Sequence, residues 1–144
     1  MVLKDLPDWR WFWGIDKQPT REEAIEMINS FNVSVSSQKG LICMSYDPNQ
    51  VATIHLYVAP GFRSGRTVAE MISQAEKIAL ADGMRKMIAP LTEGNPFLRG
   101  GKKKKFGYEL EGILREQILV DGEGRSLFLY GKLLQQNSVF NKKE

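Results

Sequence analysis

The stretch from residue 51 to residue 89 restricts the fold most, because it reads as strand, helix, strand. Residues 51–59 alternate, with Ile54, Leu56 and Val58 on one face and Thr53, His55 and Tyr57 on the other. Pro60-Gly61 ends that run. Val68, Met71, Ile72, Ala75, Ile78 and Ala79 then recur at helical spacing, and Gly83 stands where a helix stop is expected. Thr67 and Glu70 form a capping-box pattern for this helix. A short strand, residues 86–89, is expected to end at Pro90. A helix that carries the chain from one strand to the next predicts an α/β fold with a mixed sheet.

The flanking segments supply the remaining strands. Thr20 and Glu23 make a capping box for a short helix reaching about Phe31, with Ala24, Ile25, Met27 and Ile28 on its apolar side. Residues 32–36 and 41–46 are β-like runs around Gln38-Lys39-Gly40, and Asp47-Pro48-Asn49 turns into the third run, giving a meander. Asn95-Pro96 is expected to open a short helix through Arg99. Residues 108–120 and 126–134 are long β-like runs joined by Asp121-Gly122-Glu123-Gly124. The polar stretch 135–144 is expected to fray. A chain of 144 residues without a linker or repeat is expected to form one domain over residues 1–144.

All three tryptophans, Trp9, Trp11 and Trp13, fall within the Trp-rich segment 1–19 beside Phe12. Aromatic side chains at that density need burial, against the domain's own core or a second copy of the chain. Lys+Arg number 20 against 17 Asp+Glu, but Lys102, Lys103, Lys104 and Lys105 carry four of the positive charges. Without them the chain is near neutral, so a nucleic-acid partner would rest on that run alone, and a solvated loop is the simpler reading. Cys43 and His55 are single, which leaves no Cys/His set for zinc and no internal disulfide. The first residues hold no apolar signal-type stretch, and no run approaches a membrane span, so a reducing, cytoplasmic setting is expected.

The loop Arg63-Ser64-Gly65-Arg66-Thr67 connects the third strand to the long helix. A helix N-terminus there presents unpaired N–H groups and a positive dipole end, and two arginines flank it, which together suit an anion such as a phosphate.

These residues, Ile54-His55-Leu56-Tyr57-Val58-Ala59-Pro60-Gly61-Phe62-Arg63, are followed by an amphipathic helix, by Asn95, by Phe106-Gly107-Tyr108-Glu109-Leu110-Glu111-Gly112, and by a hairpin ending Leu129-Tyr130-Gly131. In that order the chain resembles the GNAT acetyltransferase superfamily over roughly residues 20–134, and its last third is similar to the branch that acetylates protein N-termini and small amines. It is also similar to short phage-encoded GNAT-like chains with a Trp-rich start.

The resemblance implies a three-layer sandwich, a mixed central sheet flanked by helices, with acetyl-CoA held where two parallel strands splay. The pantetheine would pair with the backbone of Leu56, Tyr57 and Val58. The diphosphate would sit on Arg63, Ser64, Gly65, Arg66, Thr67 and Val68, and Asn95 would contact pantetheine. Arg66 and Val68 stand where the family has small residues, and Lys103 stands where many members have a tyrosine acid. His55, with Tyr57 beside it, is the candidate for catalysis, since imidazole alone among the side chains ordinarily titrates near neutrality. The expected activity is transfer of acetyl from acetyl-CoA to an amine, on a protein N-terminus, a lysine or a small molecule. The alternative is a GNAT-fold protein that has lost the chemistry and serves in binding or structure.

Overall fold

The computed structural model describes residues 17–95 and 106–134. The Trp-rich start, the helix expected from Pro96 to Arg99, the lysine run and the polar tail lie outside the described residues.

Helix α1, Arg21–Asn29, begins at the Thr20 cap with both capping-box bonds present: Glu23 N–H to Thr20 Oγ1 at 3.1 Å and Thr20 N–H to Glu23 Oε1 at 2.9 Å. Strands β1, Val33–Ser37, β2, Gly40–Tyr46, and β3, Val51–Val58, follow as the antiparallel meander. After a 3-10 turn, Pro60–Phe62, comes helix α2, Gly65–Ala81.

Helix α2 starts earlier than the Thr67/Glu70 pattern predicts. Ser64 is the cap, in an extended conformation, and its Oγ accepts the Thr67 N–H at 3.2 Å. Thr67 is therefore already inside the helix, and Glu70 instead lies near Arg66 at 3.4 Å and Lys39 at 3.5 Å. At the other end Gly83 takes φ 88°, donating to Leu80 O at 3.1 Å, while Met84 N–H reaches back to Ala79 O at 2.9 Å. This is the six-to-one closure that leaves Met84 buried beneath the last turn.

Strand β4 runs from Lys86 to Thr92, through Pro90 and not up to it. Strands β5, Glu109–Val120, and β6, Glu123–Leu133, form the long hairpin. Its turn is the two residues Asp121 and Gly122, both at positive φ, so Glu123 and Gly124 join β6, where the sequence pattern had put them in the loop. The sheet order is β1-β2-β3-β4-β6-β5, and among the described strands only β3 and β4 pair in parallel.

Alternation along the strands divides the core into two. Ile42, Met44, Ala52, Ile54, Met87 and Tyr130 pack under α2 through Met71, Ile72, Ala75 and Ala79. Leu41, Cys43, Tyr57 and Ala59 pack on the other face, with Ile28 and Phe31 from the α1 segment and with Phe62. The two layers flank the sheet, and the loop into α2 sits at the carboxyl end of β3.

Candidate functional site: an opening between β3 and β4

Strands β3 and β4 are in register only at Val51–Lys86, Ala52–Met87 and Thr53–Ile88. Each then continues with its outer neighbour alone: β3 with β2 as far as Val58, and β4 with β6 as far as Thr92. The sheet thus opens in its middle.

Backbone direction follows from the bonds at its end. Ala59 N–H donates to Lys39 O at 2.8 Å, toward β2. Backbone groups alternate in direction along a strand, so Tyr57 also faces β2, while Leu56 and Val58 turn theirs into the opening. Two of the three residues that the family resemblance assigns to pantetheine therefore present backbone there, and Tyr57 does not. On the other lip, Ile88 faces β3, and by the same alternation so does Pro90. A proline inside a sheet normally leaves a ladder bond unmade, but here its partner strand has already departed.

The mouth of the opening is held by Arg63. Its Nε donates to the Val58 carbonyl at 2.8 Å, and its guanidinium lies 5.7 Å from the centroid of the Tyr57 ring. That fixes the plane of the side chain and leaves its outer N–H groups for an anion. Beside it, the N–H groups of Gly65 and Arg66 have no partner among the described residues, whereas Thr67 N–H is spent on Ser64. No atom lies within 4 Å of where a Cβ on Gly65 would stand, so a ligand can approach the backbone closely. The Arg66 side chain is 89% exposed. Glu70, flanked by Arg66 and Lys39, opposes an anion less than a lone carboxylate would. Val68 turns into the α2 core, away from the mouth. A cavity of about 210 Å3 between β1, β2 and α2, lined in part by Lys39, Gly40, Glu70 and Met71, is separate from the opening.

His55 projects from the β3 face opposite α2, half-buried, with its ring 5.4 Å from that of Phe31. Tyr57 shares that face but is 6% exposed and belongs to the core under α1. Asn95 follows β4, its N–H donating to Thr92 O at 2.9 Å, which holds it at the same end of the sheet as Arg63. Lys103 lies outside the described residues. Sequence reasoning missed a polar cluster of Glu76, Tyr108 and Lys132. The Tyr108 hydroxyl donates to Glu76 Oε2 at 2.9 Å and the Lys132 ammonium to Oε1 at 2.9 Å. Nothing in local spacing signals it, since the three come from α2, the entry to β5, and β6. Among the described residues no set of His, Cys, Asp or Glu is grouped to hold a metal ion, and no helix is long and apolar enough to cross a membrane.

No protein-family profile and no curated protein sequence matches the chain. Solved structures do. A spermidine N-acetyltransferase from Vibrio cholerae, in complex with CoA and spermine, is 16% identical, with a TM-score of 0.75 over 94% of this chain and 91% of the other. A ribosomal-protein-alanine N-acetyltransferase from Brucella melitensis is 16% identical, with a TM-score of 0.69 over 93% and 97%. An N-acetyltransferase from Staphylococcus aureus Mu50 is 17% identical, with a TM-score of 0.68 over 83% and 80%. The chain has the fold of the GNAT N-acetyltransferases, as its sequence order predicts.

Proposed function

We propose that the protein transfers an acetyl group from acetyl-CoA to an amine by direct attack. The observation that carries this reading is the interruption of an interior parallel ladder beside a helix N-terminus, with the backbone of Leu56 and Val58 turned into the gap. A ligand arm rich in amides is suited to such an edge. The residues present fit the cofactor: Leu56, Val58 and Asn95 would flank its pantetheine arm, and Gly65 and Arg66 N–H, Ser64, Thr67 and the Arg63 and Arg66 side chains would meet its diphosphate. Bound acetyl-CoA supplies the thioester carbonyl. His55, half-buried beside Phe31 on the face opposite α2, takes the proton from the attacking amine as the amine nitrogen bonds to the thioester carbon, and the C–S bond breaks to release CoA as the thiolate. Among the described residues no side chain is arranged as an activated nucleophile, and Cys43 is buried, so a covalent relay is not invoked.

One observation favours the non-catalytic alternative. Arg63 occupies the Val58 carbonyl, one of the groups the arm would use. Calorimetric titration with acetyl-CoA separates the two. Binding in the micromolar range is expected, weakened about tenfold or more in Arg63→Ala, because a charge-assisted bond to phosphate contributes roughly 1.5–3 kcal/mol. No heat at millimolar acetyl-CoA leaves a GNAT-fold binding protein.

A further inference from the structure

The Val58 carbonyl lies past the last pair of the β3–β4 ladder, Thr53–Ile88, so the ladder gives it no donor. Arg63 supplies one. The 3-10 turn Pro60–Phe62, closed by Phe62 N–H on Ala59 O at 2.8 Å, doubles the chain back after the strand, and the Arg63 side chain returns over it. Its Nε–H donates to the Val58 carbonyl at 2.8 Å on the gap side. Its guanidinium carbon sits 5.7 Å from the centroid of the Tyr57 ring, which belongs to the layer under α1. The head group thus straddles the carboxyl end of β3, where an arm running between the strands has to enter.

Both anchors of the guanidinium are neutral, a peptide carbonyl and an aromatic face. Among the described residues no carboxylate pairs with Arg63, whereas Arg66 lies 3.4 Å from Glu70. Phosphate oxygens carry charge and can take a guanidinium in two parallel bonds, so a diphosphate outcompetes either anchor. The Gly65 and Arg66 N–H groups, one turn further along the chain, hold it there. As Arg63 turns to the diphosphate, the Val58 carbonyl is given up to an amide of the arm. A ligand with the same arm and no diphosphate breaks the same bond, and the guanidinium gains only water in exchange.

Resting on the acetyl-transfer reading, we infer that Arg63 selects the acyl donor: its bond to Val58 holds the β3 edge shut to pantetheine thioesters that carry no diphosphate, and the diphosphate of CoA releases it. Arg63 is then a determinant of donor specificity as well as a phosphate ligand. Arm and diphosphate bind cooperatively, and the coupling is reciprocal.

The test is calorimetry on the full chain with acetyl-CoA, S-acetylpantetheine and ADP, comparing wild type with Arg63→Ala and Arg63→Met; position 63 is exposed, so neither variant disturbs the core. Wild type is expected to bind S-acetylpantetheine about tenfold more tightly with ADP bound than without it. Both variants should bind S-acetylpantetheine about tenfold more tightly than wild type does without ADP, show no response to ADP, and bind acetyl-CoA more weakly. An arginine that only holds phosphate leaves S-acetylpantetheine affinity unaltered when it is replaced, so opposite signs for the two donors are the signature. Equal S-acetylpantetheine affinity in wild type and variants, or no response of wild type to ADP, overturns the inference while acetyl-CoA binding stands. So does S-acetylpantetheine that binds none of the three proteins at any ADP concentration. Absence of acetyl-CoA binding to wild type overturns the transfer reading itself, and this inference with it.

Discussion

His55 and Cys43 show how two residues paired on the same face of neighbouring strands can differ in chemistry. They sit opposite one another on β3 and β2, yet only His55 is half-open, while Cys43 is fully buried. If His55 accepts the proton, His55→Gln should lower acetyl transfer about a hundredfold, within the usual worth of general base catalysis, and leave acetyl-CoA affinity as it was. The acid limb of the pH–rate profile should disappear with it; an unchanged limb assigns the proton elsewhere. Burial pushes the Cys43 thiol up to about 11, against a smaller opposite effect of its contact with Ser34. Iodoacetamide at pH 8 should then leave Cys43 unmodified in the native protein and label it in denaturant. At this scale the face His55 occupies was legible in the sequence, from the clean alternation of its strand. The Ser64 cap was not, because Ser64 and Thr67 both satisfy a cap pattern and only the packing of Met71 and Ile72 chooses the helix start.

The elements are tied together by polar contacts that apolar periodicity does not report. Glu76 on α2 accepts from both Tyr108 and Lys132, and so anchors the start of β5 and the end of β6 to the helix. Burial, then the Glu76 charge and hydrogen bond, hold the Tyr108 hydroxyl protonated far above the ordinary tyrosine range. The folded value is thus raised above the unfolded one, near 10. Stability is complete below about pH 10 and falls as pH rises beyond it, because the unfolded chain releases a proton that the native one keeps. The slope should be about 1.4 kcal/mol per pH unit for this residue. Urea midpoints between pH 8 and 11 should show the decline, and Tyr108→Phe should reduce it. Strand β4 was legible as far as Ala89 and no further. Proline ends interior strands in general, and residues 86–92 alone do not reveal that the β3 side of β4 is open there.

For the whole molecule, the order of elements was readable because each connection has a local signature, from capped helix to meander to crossover helix to hairpin. The gap was reachable only through family resemblance, since pairing between residues far apart in sequence leaves no periodic trace. The two half-sheets, β1-β2-β3 and β4-β6-β5, meet through three residue pairs between β3 and β4. Amide hydrogen exchange should register this: Leu56 and Val58 N–H, turned into the gap, should exchange well ahead of Tyr57, which faces β2. Acetyl-CoA should slow the first two and leave the third, if its arm lies against β3. Equal protection in the free protein would mean that the strands close in solution.

Pro90 bears on that closure. Zippering a parallel ladder needs a donor at each alternate residue, and the residue aimed from β4 toward β3 has none to give. Thermal motion that brings the strands together cannot complete the bond at that position, whatever the solvent or the occupant of the cleft. A strand edge inside a protein ordinarily invites a neighbour, its own or another molecule's, to add itself. Here the vacancy is written into the covalent structure of one ring, and it survives every fluctuation that leaves the chain folded.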